Sequence, residues 1–195
     1  MSRTVEERKP MTLEVSTLTP SQTLWPRQLD ERLKSAAPPG LWVIGNPGLL
    51  AKRKVGLFCS VSCPDDATLR AYNACQQFRD EAVTVVSGFH SPVEKECLRI
   101  LLEGKQAIIV CPARAIGKMR IPSDWKPLLE DGRLLILSRF EQSPRRADSG
   151  TARRRNELVA ALSDEVIIIH TEPGGRVERI SQLVKQWNVP ERKLA

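Results

Sequence analysis

Aromatic residues make up only 5% of this 195-residue chain, so aliphatic side chains must fill its interior. Long apolar runs are missing, and nothing approaches the ~20 residues a membrane-spanning helix needs. The first ten residues, MSRTVEERKP, carry charges of both signs with no apolar stretch behind them, so no secretory signal is expected. A cytoplasmic protein with no membrane partner is expected. Histidine is scarce, with only His90 and His170, and the five cysteines Cys59, Cys63, Cys75, Cys97 and Cys111 include no C-x-x-C pair. A zinc site needs several thiolate or imidazole ligands converging. Cys59 and Cys63 are too few for that, so buried free thiols and no metal are expected.

The usual catalytic and cofactor signatures are also missing. No G-x-G-x-x-G follows the apolar run 55–59. The loop there reads Cys59-Ser60-Val61-Ser62-Cys63-Pro64-Asp65-Asp66. Its two aspartates suit a helix start but would repel a pyrophosphate. There is no Walker loop, no Ser-His-Asp order and no carboxylate pair that stands out. The expectation is a protein without a cofactor and without catalytic residues, hence not an enzyme.

What is present is an ordered alternation. Hydrophobic residues are 41% of the chain, enough for a core, and the length suits one domain. Apolar runs of strand type at 41–45, 55–59, 83–87, 107–111, 134–137 and 166–170 alternate with helical patterns. The helices fall at 27–34, 67–79, 92–102, 125–129, 154–162 and 177–187. Strands apolar on both faces and separated by helices predict an α/β fold. Its form is a doubly wound, mostly parallel Rossmann-like sheet with helices on both faces. Residues 1–24 read as an N-terminal tail, flexible or loosely docked, and 25–195 as the domain.

The net charge is +7 and the pI about 9.4, which favours a polyanionic partner. Three segments at the expected ligand edge of the sheet could receive one. In Ser87-Gly88-Phe89-His90-Ser91, Gly88 allows close backbone approach, and the helix opened by the capping box Ser91-Pro92-Val93-Glu94 offers its N-terminus to an anion. His90 there could serve as a base but has no visible partner, and a hydrogen-bonded turn histidine is the simpler reading. The segment 138–156 holds Arg139, Arg145, Arg146, Arg153, Arg154 and Arg155 against Glu141 and Asp148, a local balance of +4. Guanidinium forks suit bidentate phosphate contacts. Glu172-Pro173-Gly174-Gly175-Arg176 is a second anion-ready turn, weak as a lone motif. A fourth basic stretch, Ala51-Lys52-Arg53-Lys54, precedes a strand and reads as solvated surface.

Taken in order, these segments resemble one family. Trp25-Pro26-x-x-Leu29 followed by Pro38-Pro39-Gly40-Leu41-Trp42-Val43-Ile44-Gly45-Asn46-Pro47 resembles the start of the DNA-processing protein A (DprA/Smf) core. Residues 83–88 resemble its Val-Val-Ser-Gly turn. Arg155-Asn156-x-Leu158-Val159-Ala160-Ala161-Leu162-Ser163 resembles its Arg-Asn-Arg helix. The likeness runs from about residue 25 to 187. The family's Gly-Ser-Arg after the first core strand is replaced by Cys59-Ser60-Val61, its arginine after Ser-Gly is absent, and the second arginine of Arg-Asn-Arg is Glu157.

The resemblance implies a single-stranded DNA-binding protein, a recombination mediator of DNA uptake and transformation, with a recombinase as protein partner and a homodimer as its assembly. It implies Ser87, Gly88, Arg155 and Asn156 around a phosphate pocket. With the residue reading, the expected nucleic-acid site comprises Ser87, Gly88, His90, Arg145, Arg146, Arg153, Arg154, Arg155, Asn156, Gly174 and Gly175. The alternative is a nucleotide-binding sensor or phosphoribohydrolase-like enzyme of the same superfamily, resembled at Pro173-Gly174-Gly175 and Glu178. A scaffold that has lost its ligand is the third reading.

Overall fold

Short apolar runs rich in β-branched residues become strands because both of their faces can be buried at once. The computed structural model describes residues 14–142 and 148–194. In chain order these form β1 (Ser16–Leu18), α1 (Gln28–Leu33), β2 (Leu41–Gly45), β3 (Lys54–Cys59), α2 (Asp65–Asp80), β4 (Thr84–Ser87) and α3 (Pro92–Leu102). They continue as β5 (Ile108–Val110), α4 (Lys126–Glu130), β6 (Leu134–Ser138), α5 (Ser149–Leu162), β7 (Glu165–His170), α6 (Arg176–Gln186) and β8 (Glu191–Lys193).

The strands form one sheet in the order β1-β2-β6-β5-β4-β3-β7-β8. From β6 to β8 every pairing is parallel. At the far edge β2 runs antiparallel to β6, and β1 antiparallel to β2. The sheet is therefore mostly parallel and doubly wound, as the alternation predicts.

The two-residue period of each strand divides the core into two layers. Val55, Leu57, Ile108, Val110, Ile167 and Ile169 meet the α2, α3 and α4 side, among Ala71, Cys75, Leu101 and Leu129. Phe58, Val86, Ile109, Leu135, Val166 and Ile168 meet the other side, among Leu29, Leu158, Val159, Leu162 and Ile180 of α1, α5 and α6. Gly56 faces α5, where a Cβ would strike the Ser163 hydroxyl, so the strand can press against the end of that helix only without a side chain.

The order reverses at β3. Strands β4, β5 and β6 lie to one side of it, and β7 and β8 to the other. The carboxyl ends of β3 and β7 are thus the topological switch point, where open α/β sheets leave a crevice.

Three features differ from the expected layout. Within the expected N-terminal tail, Ser16–Leu18 is a strand hydrogen-bonded to Leu41–Val43, so this part of the tail extends the sheet. At the opposite edge Glu191–Lys193 adds β8 beside β7. Helix α5 starts at Ser149, five residues before the periodicity suggests, because Asp148 and Thr151 close a capping box. The Asp148 Oδ1 accepts from the Thr151 N–H at 2.7 Å, and the Asp148 N–H donates to the Thr151 Oγ1 at 2.9 Å. Arg153 is consequently helical, like Arg154.

Four cysteines are buried and Cys63 is half-buried, all as free thiols. Among the described residues no helix is long and apolar enough to cross a membrane.

Candidate functional site

The loops leaving β3, β4, β5 and β7 and the N-terminal halves of α3, α5 and α6 surround three adjoining clefts. The central one, about 360 Å³, lies at the switch point and is lined by Cys59, Ser60, His90, Glu94, Arg155 and the Gly174–Gly175 turn. A second, about 460 Å³, opens between α5 and α6, lined by Arg153, Asn156, Gly175, Arg176 and Arg179. The third, about 640 Å³, lies under the loop after β5. Its walls are Phe89, Leu98, Val110, Met119 and Trp125, with Lys95, Arg114 and Arg120 among its lining residues. Asn156 and Arg176 line both of the first two clefts, and His90 and Arg155 line both the central and the third.

Arg155 stands at the junction. Only 5% of it is exposed. Its Nη1 donates to the Cys111 carbonyl at 3.2 Å and its Nε to the Asn156 Oδ1 at 2.7 Å. Burial lowers its pKa from the ordinary arginine value, the Glu94 carboxylate opposes that shift, and Arg176 adds to it. An arginine so placed keeps its charge. It is a fixed cation held beneath the clefts by backbone and amide acceptors.

Three amides of the turn after β4, those of Phe89, His90 and Ser91, are already taken by side chains of the protein. The Ser87 hydroxyl is fully buried, donates to the Leu57 carbonyl at 2.8 Å and accepts from the Phe89 N–H at 3.2 Å. The His90 and Ser91 N–H groups donate to the Glu94 Oε2 at 2.8 and 3.1 Å, and the Cys59 N–H donates to the Glu94 Oε1 at 2.9 Å. One buried carboxylate thus takes the position an anion would take, and it ties the end of β3 to the turn after β4. At the other turn the Gly174 N–H donates to the Glu178 Oε2 at 2.7 Å and the Gly175 N–H to the Glu172 carbonyl at 2.9 Å. Gly174 adopts φ +69°, the left-handed conformation glycine accepts without strain. The Phe89, His90, Ser91, Gly174 and Gly175 amides are thus engaged within the protein, and the guanidinium groups are the cations that line the first two clefts.

His90 is exposed at the lip. Partial burial lowers its pKa from the usual 6.5, Arg155 and Lys95 add to the shift, and Glu94 opposes it. Its imidazole is neutral at neutral pH.

The sequence-predicted residues Gly88, His90, Arg153, Arg155, Asn156, Gly174 and Gly175 all line these clefts. Ser87 lies beneath the turn as a structural hydroxyl. Arg154 projects over the Phe140 ring, 5.1 Å from its centroid. Arg139, counted in the basic segment, donates to the carbonyls of Ala36 and Arg154 at 2.7 and 3.0 Å and acts as a brace. Arg145 and Arg146 lie outside the described residues.

Sequence reasoning missed Lys95, Arg114, Arg120, Arg176 and Arg179. The signal was there for three of them: Arg114 and Arg120 sit in the acid-free stretch 112–122, and Arg176 directly follows the Gly174–Gly175 turn.

A family model, that of DNA recombination-mediator protein A, matches residues 16–177. DNA processing protein A from Helicobacter pylori, a protein solved for its single-stranded DNA binding mode, is 21% identical with a TM-score of 0.72, over 95% of this chain and 82% of that one. DNA processing protein A from Streptococcus pneumoniae is 19% identical with a TM-score of 0.67 over 89% of this chain, which spans only 62% of that protein. The molybdenum cofactor binding protein of Rippkaea orientalis shares the fold more distantly, at 12% identity and a TM-score of 0.52, over 73% of this chain and 76% of that one. No curated protein matches.

Proposed function

Because the chain belongs to the DNA recombination-mediator protein A family, we propose that it binds single-stranded DNA along the carboxyl edge of its sheet and acts there as a recombination mediator. The observation that carries this reading is the convergence of Arg153, Arg155, Arg176 and Arg179 on adjoining clefts at the switch point. Arginine forks engage phosphate oxygens two at a time. A strand following them releases counterions as it binds, so affinity falls steeply with salt and depends little on sequence. The apolar cleft with Phe89, Met119 and Trp125 supplies surface for unstacked bases, and Lys95, Arg114 and Arg120 line the same cleft to meet the phosphates.

Binding rather than catalysis is the activity. The Glu178 carboxylate, which the phosphoribohydrolase alternative would use, is engaged by the Gly174 N–H. Family membership adds three extensions: a recombinase as the protein partner, a second copy of this chain in the working assembly, and the cytoplasm as the place of action.

The test is a fluorescence anisotropy titration of labelled oligo-dT with the full chain at two salt concentrations. Saturable binding that weakens steeply with salt is expected. No binding at low salt overturns the reading and turns attention to mononucleotides.

A further inference from the structure

Arg155 is buried with donors to spare. Its Nε–H is taken by the Asn156 Oδ1 and one Nη1 proton by the Cys111 carbonyl, while its Nη2 has no acceptor among the described residues. Buried polar groups in folded proteins are nearly always hydrogen-bonded. Donors left open on an arginine only 5% exposed, at the wall of a cleft, therefore point to a ligand.

Its neighbours give the fork a direction. Asn156, on the Nε side, lines the first two clefts. The Nη1 end fills the place of a Cβ on Gly88 and bonds Cys111, and Gly88, Val110 and Pro112 all line the third cleft. The open donors thus belong to the buried side of the cleft walled by Phe89, Leu98, Met119 and Trp125.

That cleft is one-sided in its polar chemistry. Among the described residues its charged lining groups are all cations, Lys95, Arg114, Arg120 and Arg155, and no carboxylate, carboxamide or hydroxyl side chain lines it. The Arg114 and Pro122 carbonyls in its wall are engaged, by the Ser138 hydroxyl at 2.7 Å and the Trp125 N–H at 3.2 Å. The neutral imidazole of His90 offers an acceptor, but at the exposed lip. A ligand here meets apolar walls on its faces and donors on its polar edge.

We infer that this cleft takes an unstacked guanine, read by the Arg155 fork. The inference rests on the single-strand binding proposed above and adds a base preference at one nucleotide of the bound strand. Guanine presents O6 and N7, two adjacent acceptors that match a guanidinium bidentately. Adenine sets its N6 amino group beside N7, a donor against a donor, with no side-chain carboxylate or amide in the cleft to receive it. Burial divides the labour: Lys95, Arg114 and Arg120 are exposed and meet the flanking phosphates, whereas Arg155 is reached only by a group that enters the cleft.

The test uses the full chain and short labelled oligo-dT strands carrying one central dG, dA, dC, deoxyinosine or 7-deaza-dG, compared by fluorescence anisotropy at one salt concentration. The dG strand is expected to bind about fivefold or more tighter than the dA strand, the lower end of what one bidentate arginine–guanine pair discriminates. Deoxyinosine, which keeps O6 and N7 but lacks the 2-amino group, should match dG, and 7-deaza-dG, which lacks N7, should lose the advantage. Arg155→Lys, with circular dichroism confirming the fold, keeps a cation but no fork and should bind the dG and dA strands alike. Equal affinity of the wild-type chain for dG and dA strands overturns the inference and leaves strand binding standing, as does tighter binding of the dC strand than of the dG strand. A preference that survives loss of N7 or survives Arg155→Lys also overturns it. No binding of any strand at low salt overturns strand binding and this inference together.

Discussion

The guanidinium of Arg155 fills the space that a side chain at Gly88 would need: a Cβ built there collides with its Nη1 and Cζ. The two positions are 67 residues apart in sequence, and each explains the other. Glycine is required at 88 because an arginine is stored beneath it.

Gly88→Ala must displace that guanidinium or the turn. Overpacking of this kind costs about 1–3 kcal/mol, and leaving a buried cation without its acceptors adds to it. Urea denaturation should show the midpoint falling with the m-value unchanged. Oligo-dT affinity should fall in parallel because the cation has moved.

Arg176 and Arg179 are predicted phosphate contacts outside the site expected from the sequence, although Arg176 closes its second anion-ready turn. For single strands the salt slope is about −0.7 per phosphate neutralised. Replacing both by alanine should make the plot of log affinity against log salt shallower by about 1.4 units. An unchanged slope would remove these two residues from the interface.

Arg153 and Arg154 are neighbours in sequence with different surroundings. Arg153 lines the cleft between α5 and α6 and has only a 3.6 Å ion pair with Glu157, whereas Arg154 sits over Phe140. Arg153→Ala should weaken oligo-dT binding severalfold. Arg154→Ala should leave affinity unchanged and cost at most about 1 kcal/mol of stability, from the lost cation–π contact.

His90 gives the site a pH dependence. Its folded pKa lies below the usual 6.5, through burial and then Arg155 and Lys95. A phosphate bound nearby cancels part of that repulsion and raises the pKa, so binding takes up a proton. Oligo-dT affinity should therefore rise as pH falls from 7.5 to 5.5, and His90→Asn should show a smaller rise. Stability moves the opposite way. The unfolded chain protonates first, so the contribution of neutral His90 is full above about 6.5 and declines as pH falls through that value.

Much of this molecule can be read from its sequence, for physical reasons. Strands such as Leu134–Ser138 and Glu165–His170 are apolar on both faces, and that pattern has few interpretations besides a covered parallel sheet. The Ser91–Glu94 capping box was also legible, since proline at the first helical position adds a second local signal. The edge strands Ser16–Leu18 and Glu191–Lys193 were not, because three residues carry no period and their pairing partners are distant in sequence. The start of α5 was hidden because its box uses Asp148 and Thr151 where glutamate is the usual third residue.

The site was legible as a collection of basic and glycine-rich segments, but not in its wiring. Nothing local says that the Glu94 carboxylate would take the amides of the β4 turn, or that Ser87 would face inward to the Leu57 carbonyl. Those partners lie on other elements, and only the packing of β3 against β4 brings them together.

The outer edge of the sheet at β8 has a consequence for how these molecules behave in a crowd. An exposed strand edge is a template on which another chain can add its own backbone, the first step of edge-to-edge aggregation. Here the outermost strand is only three residues long, and its residues, Glu191, Arg192 and Lys193, are all charged. Docking a second sheet against it would strip water from those charges for very few backbone bonds. The parallel sheet, whose inner strands are buried and largely apolar, ends among the described residues in a strand that resists extension.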